Sequence, residues 1–387
     1  MGEQSDAPEY WKVGEDYEAF AEREGIPRHT GYYVQNVYEC EVDDWDRTGA
    51  KGALVNLVGH EGLCDVQIHE IDPGESTKPQ QHLHEQICYV IQGNGATAVG
   101  PEGDEVTFEW DKNALFAIPR NARYKHINVS DDEPVRIVTE TDLPSLFELF
   151  GNEEFIFGND YQFANASNEE YYSTEGTMYE GSKFPAIWQS NFIPDIHSYD
   201  EIIHWRERGA GGASIQFNHP DTSLWSHISQ MPVGTYKKAH RHHPGANVII
   251  LEGEGYSLMW SQEDEEEGVS IDEKLRIDWQ AGTLFPPPAL WYHQHFNLNN
   301  EPSRYLALHP SSLVFSGKDS VFDPVRRYNN IQYPDEDDDV RETFEQELEQ
   351  RGIPSQMPEE AYQDPDYTFE QNYEKMAKEE GLKVDDD

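Results

Sequence analysis

Gly234-Thr-Tyr-Lys-Lys-Ala-His240-Arg-His242-His243-Pro-Gly-Ala246 is the stretch on which the reading of this chain turns. It runs into the apolar segment Asn247-Val-Ile-Ile-Leu251 and closes on Glu252-Gly253-Glu254-Gly255. Further along comes Gly282-Thr-Leu-Phe-Pro-Pro-Pro288-Ala-Leu-Trp-Tyr-His293-Gln-His295-Phe-Asn297. Alternate side chains of a strand share a face, so His240 and His242 point the same way. His293, from a strand paired beside them, completes one face of a metal coordination sphere. Neutral imidazole suits Fe, Zn, Cu or Ni, and three protein ligands leave positions open for substrate and oxygen. His295 shares the face of His293 and is the candidate for hydrogen bonding to substrate or for acid–base steps. By the same alternation His243 points away, while His227, on the preceding strand, is a candidate to face inward. Trp291 and Tyr292 are expected to shape the barrel mouth and core.

The spacing Gly-x5-His-x-His, followed by Gly-x5-Pro-x4-His-x3-Asn, resembles the two motifs of the cupin superfamily. That resemblance implies an all-β fold of two antiparallel double-stranded β-helix (jelly-roll) barrels with short flanking helices. The cupin motif expects His, His, Glu and His as ligands; the corresponding positions here hold His240, His242, Ala246 and His293. Loss of the carboxylate leaves an open three-histidine face. In this the chain is similar to the gentisate 1,2-dioxygenase group, bicupins with a three-histidine iron site. Their His-Arg-His followed by Ala, and their tryptophan- and histidine-bearing segment after a proline, resemble His240-Arg-His242…Ala246 and Pro288-Ala-Leu-Trp291-Tyr-His293-Gln-His295. The resemblance implies Fe(II), O2 and a hydroxylated aromatic carboxylate as substrate. In well-known members of that group the iron lies in the N-terminal cupin, whereas here the C-terminal repeat keeps the ligands. Other readings are a non-catalytic metal- or small-molecule-binding bicupin and a cupin isomerase or decarboxylase using Zn, Ni or Mn, because the fold hosts many functions.

An internal repeat sharpens this. Gly74, Gly93 and Gly95 match Gly234, Gly253 and Gly255 at an offset of 160 residues; Trp110, Leu115-Phe116, Pro119 and Asn128 match Trp279, Leu284-Phe285, Pro288 and Asn297 at 169. The difference falls in Ser261-Gln-Glu-Asp-Glu-Glu-Glu-Gly268, read as an acidic lengthened hairpin. In the first repeat the ligand positions hold Gln80, His82, Gln86 and Tyr124. An amide and a neutral phenol are poor ligands for a borderline metal. The first barrel is therefore expected to have lost its metal and to serve packing and dimerisation, with His84 and His126 left nearby. Near the ligand motifs the bases are Lys237, Lys238 and Arg241, and spacing places none of them in the pocket.

The chain holds 75 Asp and Glu against 28 Lys and Arg, for a net charge of -47. Phosphates would be repelled, which argues against nucleic acid. Aromatic residues at 12% exclude a disordered composition, so the acidity reads as the surface of a folded protein adapted to high salt. Cys40, Cys64 and Cys88 form no CxxC and read as buried free thiols. With no long apolar run and no basic leader pattern, a soluble, cytoplasmic homo-oligomer without a membrane partner is expected.

The domain order expected is a helical lead-in over 1–30, a first barrel over 31–142, a linker over 143–200, a second barrel over 201–318 and an acidic extension over 319–387. Helices are expected at Glu15 to Glu24, Leu143 to Phe150 and Val340 to Arg351. No function attaches to the terminal two from sequence.

Overall fold

Period-two alternation here writes two apolar faces. In the strand Ser303–His309, Tyr305 and Ala307 join a cluster with Val248, Ile250 and Trp279, while Leu306 and Leu308 join another with Val55 and Ile68. The strand Val135–Thr141 divides the same way, with Ile137 inside one barrel and Val138 in the shared cluster. One face of each large sheet thus fills its own barrel and the other packs against its counterpart, so both faces are dry.

The computed structural model describes residues 15–60, 62–163, 169–180, 186–204, 208–242, 245–310, 330–365 and 367. The expected orientation of His243, the start of the lead-in, the end of the second barrel range and the last part of the acidic tail lie outside these residues. The first large sheet runs in the order Arg28–Gly31, Ala50–Leu57, Asp65–Ile71, Val135–Thr141, Gln86–Gln92, Leu115–Ile118 and Phe192–Ile193, with Asp43–Trp45 beside Ala50–Leu57. A three-stranded sheet, Val106–Trp110, Gly95–Val99 and Tyr124–Asn128, faces it. The second large sheet repeats this with Thr177–Glu180, Ala186–Gln189, Ala213–Asn218, Trp225–Met231, Ser303–His309, Asn247–Glu252 and Leu284–Phe285, with Ile203–His204 beside Ala213–Asn218. Its three-stranded partner is Leu275–Gln280, Glu254–Trp260 and Tyr292–Asn297. The fold is all-β, two barrels built from one repeated plan.

The repeats exchange backbone. Val34 pairs with Leu284 of the second barrel, and Ile193 pairs with Leu115 of the first. Two buried arginines pin these crossing segments. Arg136 donates to the carbonyls of Val37, Tyr38 and Cys40, and Arg304 to those of Ile196, His197 and Tyr199. The segment 143–200, expected as a linker, therefore holds the strands Ala186–Gln189 and Phe192–Ile193 as parts of the two sheets. Its helix Leu143–Phe150 lies where the sequence places it and packs with the first helix, Glu15–Glu24, through Phe147, Phe20 and Tyr17.

The expected acidic hairpin is a helix, Gln262–Glu267, capped by Ser261 and Asp264 in a capping box and closed by Gly268 at φ 67°. At Gly255, an added Cβ would strike the Trp279 ring and the Phe296 carbonyl, and Gly95 meets Trp110 and Ile127 in the same way. The C-terminal helix Asp338–Arg351 buries Val340, Phe344 and Leu348 against Tyr236, Tyr256 and Phe296, on the outer face of the second small sheet. Cys40, Cys64 and Cys88 are buried and unpaired, as expected. Among the described residues no helix is long and apolar enough to cross a membrane.

Candidate metal centre

His240 and His293 meet through a reciprocal backbone bridge, with His240 N donating to the His293 carbonyl at 3.0 Å and His293 N to that of His240 at 2.8 Å. Their ring centroids stand 4.2 Å apart, and that of His242 lies 4.9 Å from His293. One nitrogen from each of the three falls within 4.8 Å of the others. His240 Nδ1 lies 2.8 Å from the Lys238 carbonyl and His293 Nδ1 lies 3.2 Å from that of Trp291. A carbonyl can only accept, so both Nδ1 atoms carry the proton and both Nε2 lone pairs are free. Burial, reinforced by the positive charge of Arg208 and by the neighbouring imidazoles, holds both rings well below the usual imidazole range. His240 and His293 are thus neutral and of fixed tautomer, and His242 converges with them, which fits a divalent transition metal.

The turn before His293 is held by the ligand segment itself. Leu290 N donates to the His242 carbonyl at 3.0 Å, and Leu290 sits at φ 65°, a left-handed conformation that costs a leucine about 1 kcal/mol. In the first repeat Asn121 (φ 56°) makes the same bond to His82. Ala246 is buried among Val248, Ile250, Phe285 and Met259, so an apolar wall stands where the motif carries its carboxylate.

His295 faces the same interior, its ring 5.7 Å from that of His293. Trp279 Nε1 donates to Ser257 Oγ at 3.0 Å, and Ser257 Oγ lies 2.7 Å from His295 Nδ1. The serine oxygen has two lone pairs and one proton, so it accepts from tryptophan and pairs with Nδ1 at the same time, which holds the His295 ring in place. The first barrel keeps this relay as Trp110, Thr97 and His126. His227 does face inward, with Nδ1 2.8 Å from His309 Nε2, and His309 stacks on Trp225. Trp291 is half-buried against the barrel cluster, and Tyr292 stacks on Trp260 beneath Arg241.

The first barrel has the same backbone and a different chemistry. Gln80 and Tyr124 repeat the reciprocal bridge of His240 and His293. Gln80 Nε2 donates away, to the carbonyls of Arg47 and Lys78, while Tyr124 Oη lies 3.0 Å from His82 Nε2 and 3.4 Å from Gln86 Oε1. His84 stacks on His82 at 3.4 Å. Gln80, His82 and Tyr124 are thus engaged with one another or with the backbone, while Gln86 Nε2 is buried without a hydrogen-bond partner.

Two features lay beyond the sequence reading. Lys237 points into the second barrel and is buried, hydrogen-bonded to Ser229 and Tyr305. Comparison with Thr77, its counterpart in the first repeat, was the available signal. The C-terminal extension also runs along the ligand segment: Ile331 N donates to the Ala239 carbonyl, Tyr333 Oη to that of Tyr236, and Gln356 N to that of Gly234. Glu336 accepts from Tyr236 Oη and Gln294 Nε2, gripping the strand that carries His293 and His295.

Residues 67–140 match the family model described as "Cupin domain". The match runs from strand Asp65–Ile71 to strand Val135–Thr141 of the first barrel, whose plan the second barrel repeats. No curated protein matches the chain. Among solved structures, a mutant of Bacillus subtilis oxalate decarboxylase is similar over 72% of this chain and 77% of its own, at 11% identity and a TM-score of 0.46. Lactobacillus farciminis oxalate decarboxylase, as a formate complex, is similar over 72% and 86%, at 11% identity and 0.46. Vicilin from Corylus avellana is similar over 72% and 85%, at 13% identity and 0.44. Likeness at this level concerns fold, and the chemistry rests on the residues of the site.

Proposed function

We propose that the second barrel is a mononuclear divalent-metal site acting on a small organic acid, with Fe(II)-dependent, oxygen-dependent ring cleavage of a hydroxylated aromatic carboxylate as its reaction. The observation that carries this reading is the donor set: three imidazoles on one face, with Ala246 in place of a carboxylate. When bound there, iron supplies Lewis-acid and oxygen chemistry from the positions that three protein ligands leave open. The chain's own residues orient and enclose. Val248, Ile250, Ile277 and Phe285 give dry walls, and the Trp279–Ser257–His295 relay anchors the His295 ring through Nδ1 as the group to move a proton.

A second reading is redox-neutral decarboxylation with manganese. The relay supports it, because loss of CO2 from a carboxylate leaves a carbanion that needs a proton. Mn(II) is the metal named for the similar Bacillus subtilis oxalate decarboxylase.

Metal analysis of the purified protein should find about one metal per chain. His240→Ala should lose it and Gln80→Ala should keep it; equal loss in both would place the centre in the wrong barrel. Oxygen uptake on a panel of hydroxybenzoates after anaerobic iron loading supports ring cleavage, whereas anaerobic CO2 release from oxalate by the manganese form supports the second reading. A metal-replete protein inert in both assays would overturn the enzyme readings in favour of a binding protein.

A further inference from the structure

The metal-centred reading leaves Lys237 unused. Its side chain is 2% exposed, and Nζ donates to Ser229 Oγ at 2.6 Å and Tyr305 Oη at 2.8 Å, lying 4.7 Å over the Tyr305 ring. Both partners are hydroxyls; burial pulls the lysine below its ordinary value, and, against burial, the lysine beside it pulls the Tyr305 phenol down. In a chain with 75 carboxylates, none of those described stands within ion-pairing distance of this buried ammonium. Buried charges are ordinarily paired, because desolvation without a counter-charge is costly. Arg208, also buried, adds to the positive field felt by Lys237 and by the ligand histidines. The interior of the second barrel is therefore cationic inside a strongly anionic protein.

The repeat supplies an independent observation. The counterparts of Lys237, Ser229 and Tyr305 in the first barrel are Thr77, His69 and Ile137. The barrel that kept its three ligands carries the lysine unit, and the barrel that lost them does not. The unit also adjoins the site. The Tyr305 ring lies 5.5 Å from that of His295, which in turn lies 5.7 Å from that of His293. Lys237 N donates to the His295 carbonyl at 3.0 Å, fixing the lysine beside it.

We propose that Lys237, held by Ser229 and Tyr305, receives a carboxylate of the ligand that enters the second barrel and so sets its preference for organic anions over neutral analogues. This rests on the metal-centred reading for the other end of that ligand. One of the three ammonium protons remains for the anion once serine and tyrosine have accepted theirs. The bound carboxylate provides the missing counter-charge, and the rest of the molecule lies along His295 toward the imidazole face.

Calorimetric titration of the zinc-loaded protein with salicylate and with salicylamide, which differ in charge but little in shape, tests this. The wild type should prefer salicylate by about tenfold or more, the scale of one charge-assisted hydrogen bond. Lys237→Met, close in volume and uncharged, should erase the preference with zinc content unchanged, and Lys237→Arg should keep it. Equal binding of the two probes by the wild type, or a preference that survives in Lys237→Met, overturns the proposal. Zinc content is measured separately on each protein, with circular dichroism to check folding. A folded wild type that takes up no zinc refutes the metal-centred reading, while the salicylate preference of that same metal-free protein still decides the role of Lys237.

Discussion

Glu140 should make this protein less stable as pH rises from about 5 to 8, and one substitution should remove its one-proton share of the slope. The residue is fully buried between the barrels, where its Oε2 accepts from Asn247 Nδ2 at 3.1 Å and its Oε1 has no hydrogen-bond partner. An ionised carboxylate there would be a buried charge with only Asn247 and the weak Cys64 thiol as donors. Burial pushes its pKa up to about 8, against the relief from Asn247, and Asp65 adds like charge. In the unfolded chain it returns to the ordinary glutamate value near 4.3. Between those values the native state binds a proton that the unfolded state releases, so unfolding becomes easier with rising pH. One proton of difference is a slope of about 1.4 kcal/mol per pH unit, so three units cost roughly 4 kcal/mol. The effect is complete above about pH 8, where both states are ionised, and vanishes below about pH 4. Denaturant unfolding of the wild type and Glu140→Gln at fixed salt, from pH 5 to 8, reads it directly. The amide keeps the shape and cannot ionise, so the variant's stability should decline less by about one proton's slope. Parallel stability–pH curves for the two proteins would refute the reasoning.

Other consequences are open to similar measurement. Phe344→Ala, at a residue with no exposed surface in the C-terminal helix, should cost about 3–5 kcal/mol in denaturant unfolding. A loss below 1 kcal/mol would mean that the helix is not part of the barrel's fold. Gly255→Ala places a methyl against the Trp279 ring and the Phe296 carbonyl and should lower stability by about 1–3 kcal/mol, visible as a fall in Tm. Ser257→Ala removes the hydrogen-bond partner of His295 Nδ1, and turnover should fall by about tenfold or more at unchanged metal content; unchanged turnover would exclude His295 from proton handling.

Much of this structure could be read from residue order, and the reasons are local. His240 and His242 share a face because a strand alternates, and Gly253 and Gly255 mark the turn that follows because their neighbours leave no room for a side chain. The helix Glu15–Glu24 ends at Gly25-Ile-Pro27 as its punctuation requires. What stayed hidden depends on contacts between distant segments. Nothing near Phe192 in sequence says that it pairs with Phe116, and nothing near Val34 points to Leu284. Segment 143–200 therefore reads as a linker although it carries strands of both sheets. The acidic run Gln262–Glu267 reads as a hairpin by its place in the repeat, but Ser261 and Asp264 supply a helix start that outweighs position.

The site divides along the same line. The ligands are legible because they lie on two short motifs, while their surroundings are assembled from elsewhere: Arg208, Ser229, Ser257, Trp279 and Tyr305 stand on other strands and loops. Lys237 shows why the division matters. By composition it is one of few bases in an acidic chain, and by spacing it sits outside the His-x-His alternation, so neither signal places it. Only pairing of Lys237 N with the His295 carbonyl and the reach of Nζ to Tyr305 bring it inside. The two barrels share a backbone plan down to the reciprocal bridges Gln80–Tyr124 and His240–His293. Backbone alone therefore cannot distinguish a barrel that holds a metal from one that does not. In the first, His82 and Tyr124 bond to each other and Gln80 to the backbone; in the second, three imidazoles each bring a nitrogen within 4.8 Å of the others, with Lys237 buried in the same barrel. That donor set is what a fold comparison cannot supply, and it is why the second barrel is the one to load and assay.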